Sequence, residues 1–447
     1  MIRGRRKAQK SKRQDPALGR TLEVEIERIG KSGDGIASHD GKSVYVPLAL
    51  PGDRLHVRLT ETRGDGYAGL IVESADLMPR RTPACRHFGT CGGCRLQHLP
   101  ASLYRDWKQA QIGAALRARG IEGVDIRPLI EGEPGSRRRL RLAFVRTGDR
   151  VILGHRKRAH RDIVAITECP IAHPDIVALL DPLKTALASL DMAKPGGEVA
   201  ITSAETGLDL LIDVKAEPTL EDRETLAALA EQQDLARIAW RSDARSEAEP
   251  IAARRDVMIR FDSVQVALPQ GAFLQATEAA EHAIVNAVKA AIQVQGRAGR
   301  VADLFSGAGA IGLPLAANGW RVLAFERDAA MVRTLNDAAH RAGLAGRIAA
   351  QSRDLDQDPI TGNDLADFDA LILDPPRAGA RPQVEAIAAA KSALAIAMAS
   401  CNPATFARDA RTLIDAGYRL IWVQPIDAFL HSAEIELVAA FSRPETP

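Results

Sequence analysis

The chain is poor in the features that place a protein quickly. Its 447 residues hold only ten Phe, four Tyr and four Trp, so stacking platforms for flat ligands are few. Five cysteines are too few and too scattered for a disulfide framework. Apolar runs are broken by charge well short of the roughly 18 residues a membrane helix needs. The start, Met1-Ile2-Arg3-Gly4-Arg5-Arg6-Lys7, has no apolar core behind it and does not read as a secretory signal. The expectation is a cytoplasmic protein with reduced thiols and no membrane partner. Net charge is also small, at +2, and says nothing about partners by itself.

Local charge says more. Residues 1–20 carry eight Lys or Arg against the single Asp15. A second block holds Arg137, Arg138, Arg139, Arg141, Arg146, Arg150, Arg156, Lys157, Arg158 and Arg161. Two basic blocks in a near-neutral chain point to focused contact with a polyanion, although a solvated face or an unstructured arm has the same composition.

The periodicity divides the chain. Residues 1–19 read as a basic disordered arm. Residues 20–75 alternate apolar and polar positions between Gly33-Asp34-Gly35 and Gly64-Asp65-Gly66, which predicts about five short strands in an OB-type barrel. Its only aromatics are Tyr45 and Tyr67. Residues 76–265 read as a β-rich central domain, with a helix from Tyr104 to Gly120 and another near 219–232. From 266 to 447, apolar strands alternate with helices. That pattern predicts a parallel, doubly wound Rossmann-like sheet in a multidomain α/β protein.

This last part carries the chemistry. Asp303-Leu304-Phe305-Ser306-Gly307-Ala308-Gly309-Ala310-Ile311-Gly312 places glycines where a first strand turns into a helix, and glycine there lets the backbone approach a ligand closely. Glu326, ending the second strand, can accept hydrogen bonds from ribose hydroxyls. To this point a dinucleotide and S-adenosylmethionine fit equally. Asp374-Pro375-Pro376-Arg377 shifts the balance, because Asp-Pro-Pro at a strand end is common in methyltransferases acting on planar nitrogenous substrates.

Cys401 follows 27 residues after Asp374, in Ser400-Cys401-Asn402-Pro403-Ala404-Thr405. A thiolate adding to carbon 6 of uracil turns carbon 5 into a nucleophile, splitting one hard step into two. A base must then remove the carbon-5 proton so that the thiolate can leave. Glu434 and Glu436 are two apart and would share one face of a strand; spacing does not choose between them.

These motifs resemble those of the RNA uracil-C5 methyltransferase family over nearly the whole chain. Ser400-Cys401-Asn402-Pro403-Ala404-Thr405 with Ala407-Arg408-Asp409 is similar to the family's nucleophile motif, and Asp374-Pro375-Pro376-Arg377-Ala378-Gly379 to its second signature. The resemblance implies Cys401 as nucleophile and Glu436 as base. It implies an S-adenosylmethionine site lined by Gln275, Phe305, Gly307, Glu326 and Asp374, with Asp354 facing the adenine. Two positions depart from the pattern. Glu434 stands where many members have His, and Ala310 replaces a polar residue near the donor.

Cys85, Cys91 and Cys94 form C-x5-C-x2-C, with Cys169 far downstream. Four thiols suit zinc or an iron–sulfur cluster. The Cys-Gly-Gly-Cys also resembles the [4Fe–4S] site of the 23S rRNA branch, which implies a structural cluster, and the barrel resembles a TRAM domain. The resulting expectation is a monomeric enzyme methylating carbon 5 of a uridine in RNA, above all 23S rRNA. Its rivals are a tRNA uridine methyltransferase, an RNA cytosine-C5 methyltransferase and a non-catalytic RNA-binding assembly factor.

Overall fold

The structure, a computed structural model, describes residues 15–158, 160–243, 245–293, 299–390 and 394–443. Residues 1–14 of the expected basic arm lie outside the described residues. The described residues form two compact units, residues 15–82 with 95–101, and residues 83–94 with 102–443.

In the first unit, β1 (Thr21–Glu25), β2 (Arg28–Ile29), β3 (Gly35–His39), β4 (Lys42–Val46), β5 (Arg54–Arg63) and β6 (Gly66–Asp76) pair in the order β1-β5-β6-β4-β3-β2. Alternation in β1 and β5 sends Leu22, Val24, Leu55, Val57 and Leu59 inward. The Glu27 N–H donates to the Ile36 carbonyl at 2.9 Å, which curls the sheet back on itself. Residues 15–19, assigned to the arm by composition, form a turn instead. Ala17 and Leu18 pack on the barrel core, and Tyr67 donates to Asp15 at 2.9 Å.

The second unit opens with α1 (Ala101–Arg117) and β7 (Asp125–Ile126). A sheet then forms from β8 (Arg139–Thr147), β9 (Arg150–Arg156), β10 (Ile163–Ala165), β11 (Gly196–Ala204), β12 (Gly207–Asp213), β13 (Arg237–Arg241) and β14 (Glu249–Ala253), in the order β10-β9-β8-β11-β12-β13-β14. Helices α2 (Pro174–Ser189) and α3 (Leu220–Gln232) cover one face through Leu179, Leu183, Leu187, Leu226 and Leu229. The opposite face is laced with ion pairs, Arg237–Asp209 at 2.9 Å, Arg241–Asp213 at 2.5 Å and Arg141–Asp213 at 2.6 Å.

A hairpin, β15 (Met258–Phe261) and β16 (Val264–Ala267), leads into α4 (Glu278–Ile292). The final sheet uses β17 (Arg300–Leu304), β18 (Arg321–Glu326), β19 (Ile348–Ser352), β20 (Ala370–Leu373), β21 (Ala395–Ser400), β22 (Arg419–Ile426) and β23 (Glu436–Ser442). Between these strands lie α5 (Gly312–Ala317), α6 (Ala329–Arg341), α7 (Gly362–Leu365), α8 (Arg381–Ala390) and α9 (Pro403–Asp415). The strand order is β19-β18-β17-β20-β21-β23-β22-β7, with β23 antiparallel to both neighbours. Period-two alternation builds two cores. Ile372, Ala397 and Ala399 meet Ile284, Val288 and Leu335 on one face. Leu371, Leu373, Ile396 and Met398 meet Val384, Phe406 and Leu413 on the other.

Two segments lie elsewhere than the sequence boundaries put them. Residues 101–130 fall in the expected central domain, but Ile112, Leu116 and Ile121 pack into the second of these cores and β7 pairs with β22. Ile259, Phe261 and Val264 of the hairpin, also on the central-domain side of the boundary at 265, pack into the first core. Short strands and an isolated amphipathic helix carry no mark of which sheet they join. Among the described residues, no helix is long and apolar enough to cross a membrane.

Leu371 is fully buried in the centre of the sheet. Leu371→Ala is expected to cost about 2–5 kcal/mol, the range for truncating a core leucine. A thermal or urea transition unchanged from wild type would show that this strand is not central to the core.

Candidate active site

The C-terminal edge of the last sheet opens into a cleft of about 770 Å³. Ligands bind at this edge in open α/β sheets, outside the strand ends where connections diverge. All eight catalytic and donor-site residues expected from the sequence line this one cleft.

The glycine turn forms its floor. Phe305 has φ +64° and Gly309 has φ +94°. A side chain on Gly309 would run into Leu313 and Leu335 at 2.8 and 2.9 Å, so only glycine closes the turn. Glu326 is held by the N–H groups of Gly307 at 3.1 Å and Asp328 at 2.8 Å. Asp354 also lines this end and takes the Asp356 N–H at 3.1 Å. Ala310 lines the wall where a polar residue was expected, and contributes no side-chain hydrogen bond.

Gln275 enters from the other side, in a segment held by the start of β8. Arg138 Nε donates to the Gln275 carbonyl at 3.1 Å, Arg138 N donates to the Ala276 carbonyl at 2.9 Å, and Arg139 Nη1 donates to the Leu274 carbonyl at 3.2 Å. Arg138 is itself buried against Glu281 at 2.5 Å. The expected phosphate ribbon is therefore divided. Arg138 and Arg146 are buried and bonded internally, whereas Arg141, Arg156, Lys157 and Arg161 line a second, open cleft with Lys194 and Lys215.

The two signature motifs are stapled together. The Asn402 side chain caps α9 through the Ala404 N–H and donates to the Arg377 carbonyl at 3.1 Å. Thr405 Oγ1 donates to the same carbonyl at 3.3 Å, and Arg408 reaches the Ala378 carbonyl at 3.1 Å. Buried Asp409 takes the Ala380 N–H at 3.0 Å and pairs with Arg408 at 2.7 Å. Gly379 has φ +82°, and any side chain there would strike Arg408 and Asp409. The Asp-Pro-Pro loop and the Cys401 turn thus form one rigid piece.

The cleft is rich in desolvated acids. Burial, with help from Asp374, pushes Asp303 up to about 8, and burial pushes Asp374 up to about 6. Glu436 rises to about 8 through burial, Asp374 and then Glu434. The like-charge effect expected from Glu434 is present, third in size. Cys401 is pushed up to about 11 by burial, Glu436 and Asp374. Arg377 opposes the shift at both Cys401 and Glu436, and pairs with Glu434 at 3.0 Å. The motif contained Arg377 without giving it a role; a cation directly after Asp-Pro-Pro was the available signal. Phe273 is a second addition, exposed at the cleft mouth with Arg139 over its ring at 5.7 Å.

The other four cysteines are half-buried and form no disulfide. Their loop is pinned to the central sheet. Cys91 bridges Lys157, the Gly92 N–H donates to the Arg156 carbonyl at 3.0 Å, and a Gly92 side chain would fall 2.6 Å from that oxygen. Arg86 binds Thr167 at 2.9 Å and Glu168 at 3.2 Å, beside Cys169. Burial raises the Cys91 and Cys169 thiols; Cys85 adds to the shift at both, and Cys91 to that at Cys169. The donor set fits a thiolate-ligated centre, yet among the described residues no group of three or more His, Cys, Asp or Glu is arranged to hold a metal ion.

Comparison with known proteins adds four findings. Residues 17–68 match the TRAM domain family. An uncharacterized RNA methyltransferase of Mesorhizobium japonicum is 39% identical over 94% of this chain and 97% of its own length. The 23S rRNA (uracil(1939)-C(5))-methyltransferase RlmD of Pectobacterium atrosepticum is 32% identical over 94% of each. Among solved structures, the Pyrococcus abyssi tRNA (uracil-54, C5)-methyltransferase in complex with S-adenosyl-L-homocysteine shares the fold at TM-score 0.72. It is 22% identical, over 94% of this chain and 99% of that one.

The raised thiol can be read directly. Alkylation of Cys401 by iodoacetamide, followed by peptide mass spectrometry, is expected to climb roughly tenfold per pH unit well past the ordinary thiol range, since only the thiolate reacts. Glu436→Gln removes one cause of the shift and should move the profile to lower pH. A wild-type plateau near about pH 8.5, the unperturbed thiol value, would overturn this electrostatic picture.

Proposed function

The chain belongs to the RNA uracil-C5 methyltransferase family, and we propose that it transfers the methyl group of S-adenosylmethionine to carbon 5 of one uridine in 23S rRNA. The observation carrying this reading is the convergence of Cys401, Glu436, Asp374 and the glycine turn on one cleft. The TRAM match, the similarity to a 23S rRNA enzyme and the four-cysteine set support ribosomal RNA as substrate.

Gln275, Phe305, Gly307, Glu326, Asp354 and Asp374 are the residues that would hold the donor. When bound, the donor supplies an electrophilic methyl group and a positive sulfonium charge. Carboxylates raised by burial ionise as positive charge enters, and the Cys401 thiolate is favoured for the same reason. Cys401 Sγ adds to carbon 6 of the uracil, leaving electron density at carbon 5, which would take the methyl group as the donor's sulfur–methyl bond breaks and its sulfur keeps the electron pair as a neutral thioether. The Glu436 carboxylate then takes the carbon-5 proton. The electrons of that C–H bond re-form the ring double bond as the carbon 6–sulfur bond breaks, which returns the thiolate.

The target base must leave its stack to reach Cys401, at a cost of a few kcal/mol. Exposed Phe273 offers it a stacking face at the cleft mouth. Cations lining the second cleft, such as Arg161 and Lys215, are suited to phosphate contact. Cys85, Cys91, Cys94 and Cys169 would hold a [4Fe–4S] cluster that ties their loop to the central sheet; the methyl transfer needs no electron from it.

Purified protein, labelled donor and unmodified ribosomal RNA are expected to give 5-methyluridine at one position by nucleoside mass spectrometry. Cys401→Ala should give none, and Glu436→Gln should accumulate a covalent protein–RNA adduct. Transfer to tRNA alone would overturn the substrate, methylcytidine would overturn the base, and binding without transfer would favour an assembly factor.

Anaerobically purified protein is expected to carry about four irons and matching sulfide per chain, the content of one [4Fe–4S] cluster. Cys85→Ser and Cys169→Ser should each lose them. Stoichiometric zinc instead would overturn the cluster assignment.

A further inference from the structure

Lys108 sits on α1 with its side chain fully buried, against an equally buried Asp427 at 2.9 Å. A charge pair with no water contact is costly unless its remaining hydrogen-bonding capacity is met. Here that capacity is met by one segment, residues 427–434, which joins β22 to β23. Lys108 Nζ also donates to the Glu434 carbonyl and, at 3.5 Å, to the Phe429 carbonyl. Tyr104, one turn earlier on α1, donates to the second oxygen of Asp427 and accepts the His431 N–H at 2.9 Å. Gln111 adds a bond to the Ala433 carbonyl at 3.4 Å.

Side chains of α1 therefore bind the backbone of this connection at Phe429, His431, Ala433 and Glu434. Two residues beyond the last contact stands Glu436, the first residue of β23. Glu434 completes the frame from the cleft side by pairing with Arg377. His431 has φ +60°, a left-handed backbone that is uncommon outside glycine.

We propose that Lys108, with Tyr104 and Asp427, is the positioning residue for the base: it fixes the connection that delivers the Glu436 carboxylate to carbon 5, and so governs proton removal rather than attack by Cys401. Cys401 has a support of its own, the staple between α9 and the Asp-Pro-Pro loop, and it meets the connection before Glu436 only through the Arg377–Glu434 pair and the β21–β23 pairing. The contacts of Lys108 bear on the second of the two steps alone. This inference rests on the reading of Cys401 as nucleophile and Glu436 as base.

The test separates the two half-reactions in the full-length protein. Lys108→Met removes the ammonium and its bonds but leaves Asp427 buried and uncompensated. Lys108→Met/Asp427→Leu removes both charges and guards against simple unfolding, because buried pairs are often replaced by apolar residues without loss of stability. Methylated, denaturation-resistant protein–RNA adduct and released 5-methyluridine are measured in single-turnover time courses, with Glu436→Gln as reference. The folded double variant is expected to form adduct at close to the wild-type rate and release product about 10- to 100-fold more slowly, as misplacement of a reacting group by about 1 Å commonly does. Equal slowing of adduct formation and release would mean a merely structural role and overturn the proposal. Wild-type release rates in the double variant would overturn it as well. If Glu436→Gln itself traps no adduct, the fault lies in the assignment of the base, not in the role of Lys108.

Discussion

The cleft is built around carboxylates that water barely reaches. Asp303 and Glu436 are buried near the end of β17 and at the start of β23, and Asp374 is half-buried just past the end of β20, so their charged forms are disfavoured together. Asp374 raises Asp303, Glu436 and Cys401, and Glu436 in turn raises Cys401. Arg377 is the cation that opposes these shifts at Cys401 and Glu436, and it is more than half exposed. The sign of the pH effect follows. These groups hold protons in the folded state above the ordinary carboxylate range, up to about 8 for Glu436. The unfolded chain has already released them there. Raising pH through that window therefore lowers the stability of the empty cleft, and a bound cation restores it.

Such a cleft needs stiff walls, because acids that repel one another would otherwise move apart or draw in water. Three supports provide stiffness. The glycine turn at Gly309 closes tightly on Leu313. The Asp-Pro-Pro loop is bonded to the first two turns of α9 through Asn402, Thr405, Arg408 and Asp409. The connection before β23 is bonded to α1. Each acid enters the cleft from an element fixed by a different set of contacts.

The sequence made the cleft legible and left its supports obscure. Cys401, Asp374, Glu326 and the glycine turn stand in short motifs at strand ends, where chemistry and local geometry share the same few residues. Lys108 gave no such signal. A lysine on a helix reads as a solvated side chain, and its partner Asp427 is 319 residues away. The same applies to Arg138, read as part of a phosphate-binding ribbon but buried against Glu281, 143 residues on. Charge runs reveal composition, whereas burial depends on which strand end meets which helix. The boundary at 101–130 was misplaced for a related reason: β7 is two residues long, too short for periodicity to register, and joins a sheet whose other strands begin at residue 300.

These long-range bonds make the central sheet and the last sheet interdependent around the donor side of the cleft. Arg138 immediately precedes β8, closes an ion pair with α4 and grips the carbonyl of Gln275. The Ser203 N–H of β11 donates to the Arg138 carbonyl at 2.8 Å. The backbone of Gln275 is thereby fixed by the same sheet whose open side carries Arg141 and Lys215. A substrate strand held on that side would act on a rigid body continuous with Gln275, not on a tethered module. Placement of a donor at Gln275 and recognition on that open side would then be coupled through one strand. That coupling accounts for two adjacent arginines with opposite fates: Arg138 is buried as a structural clamp, and Arg139 reaches toward the exposed ring of Phe273.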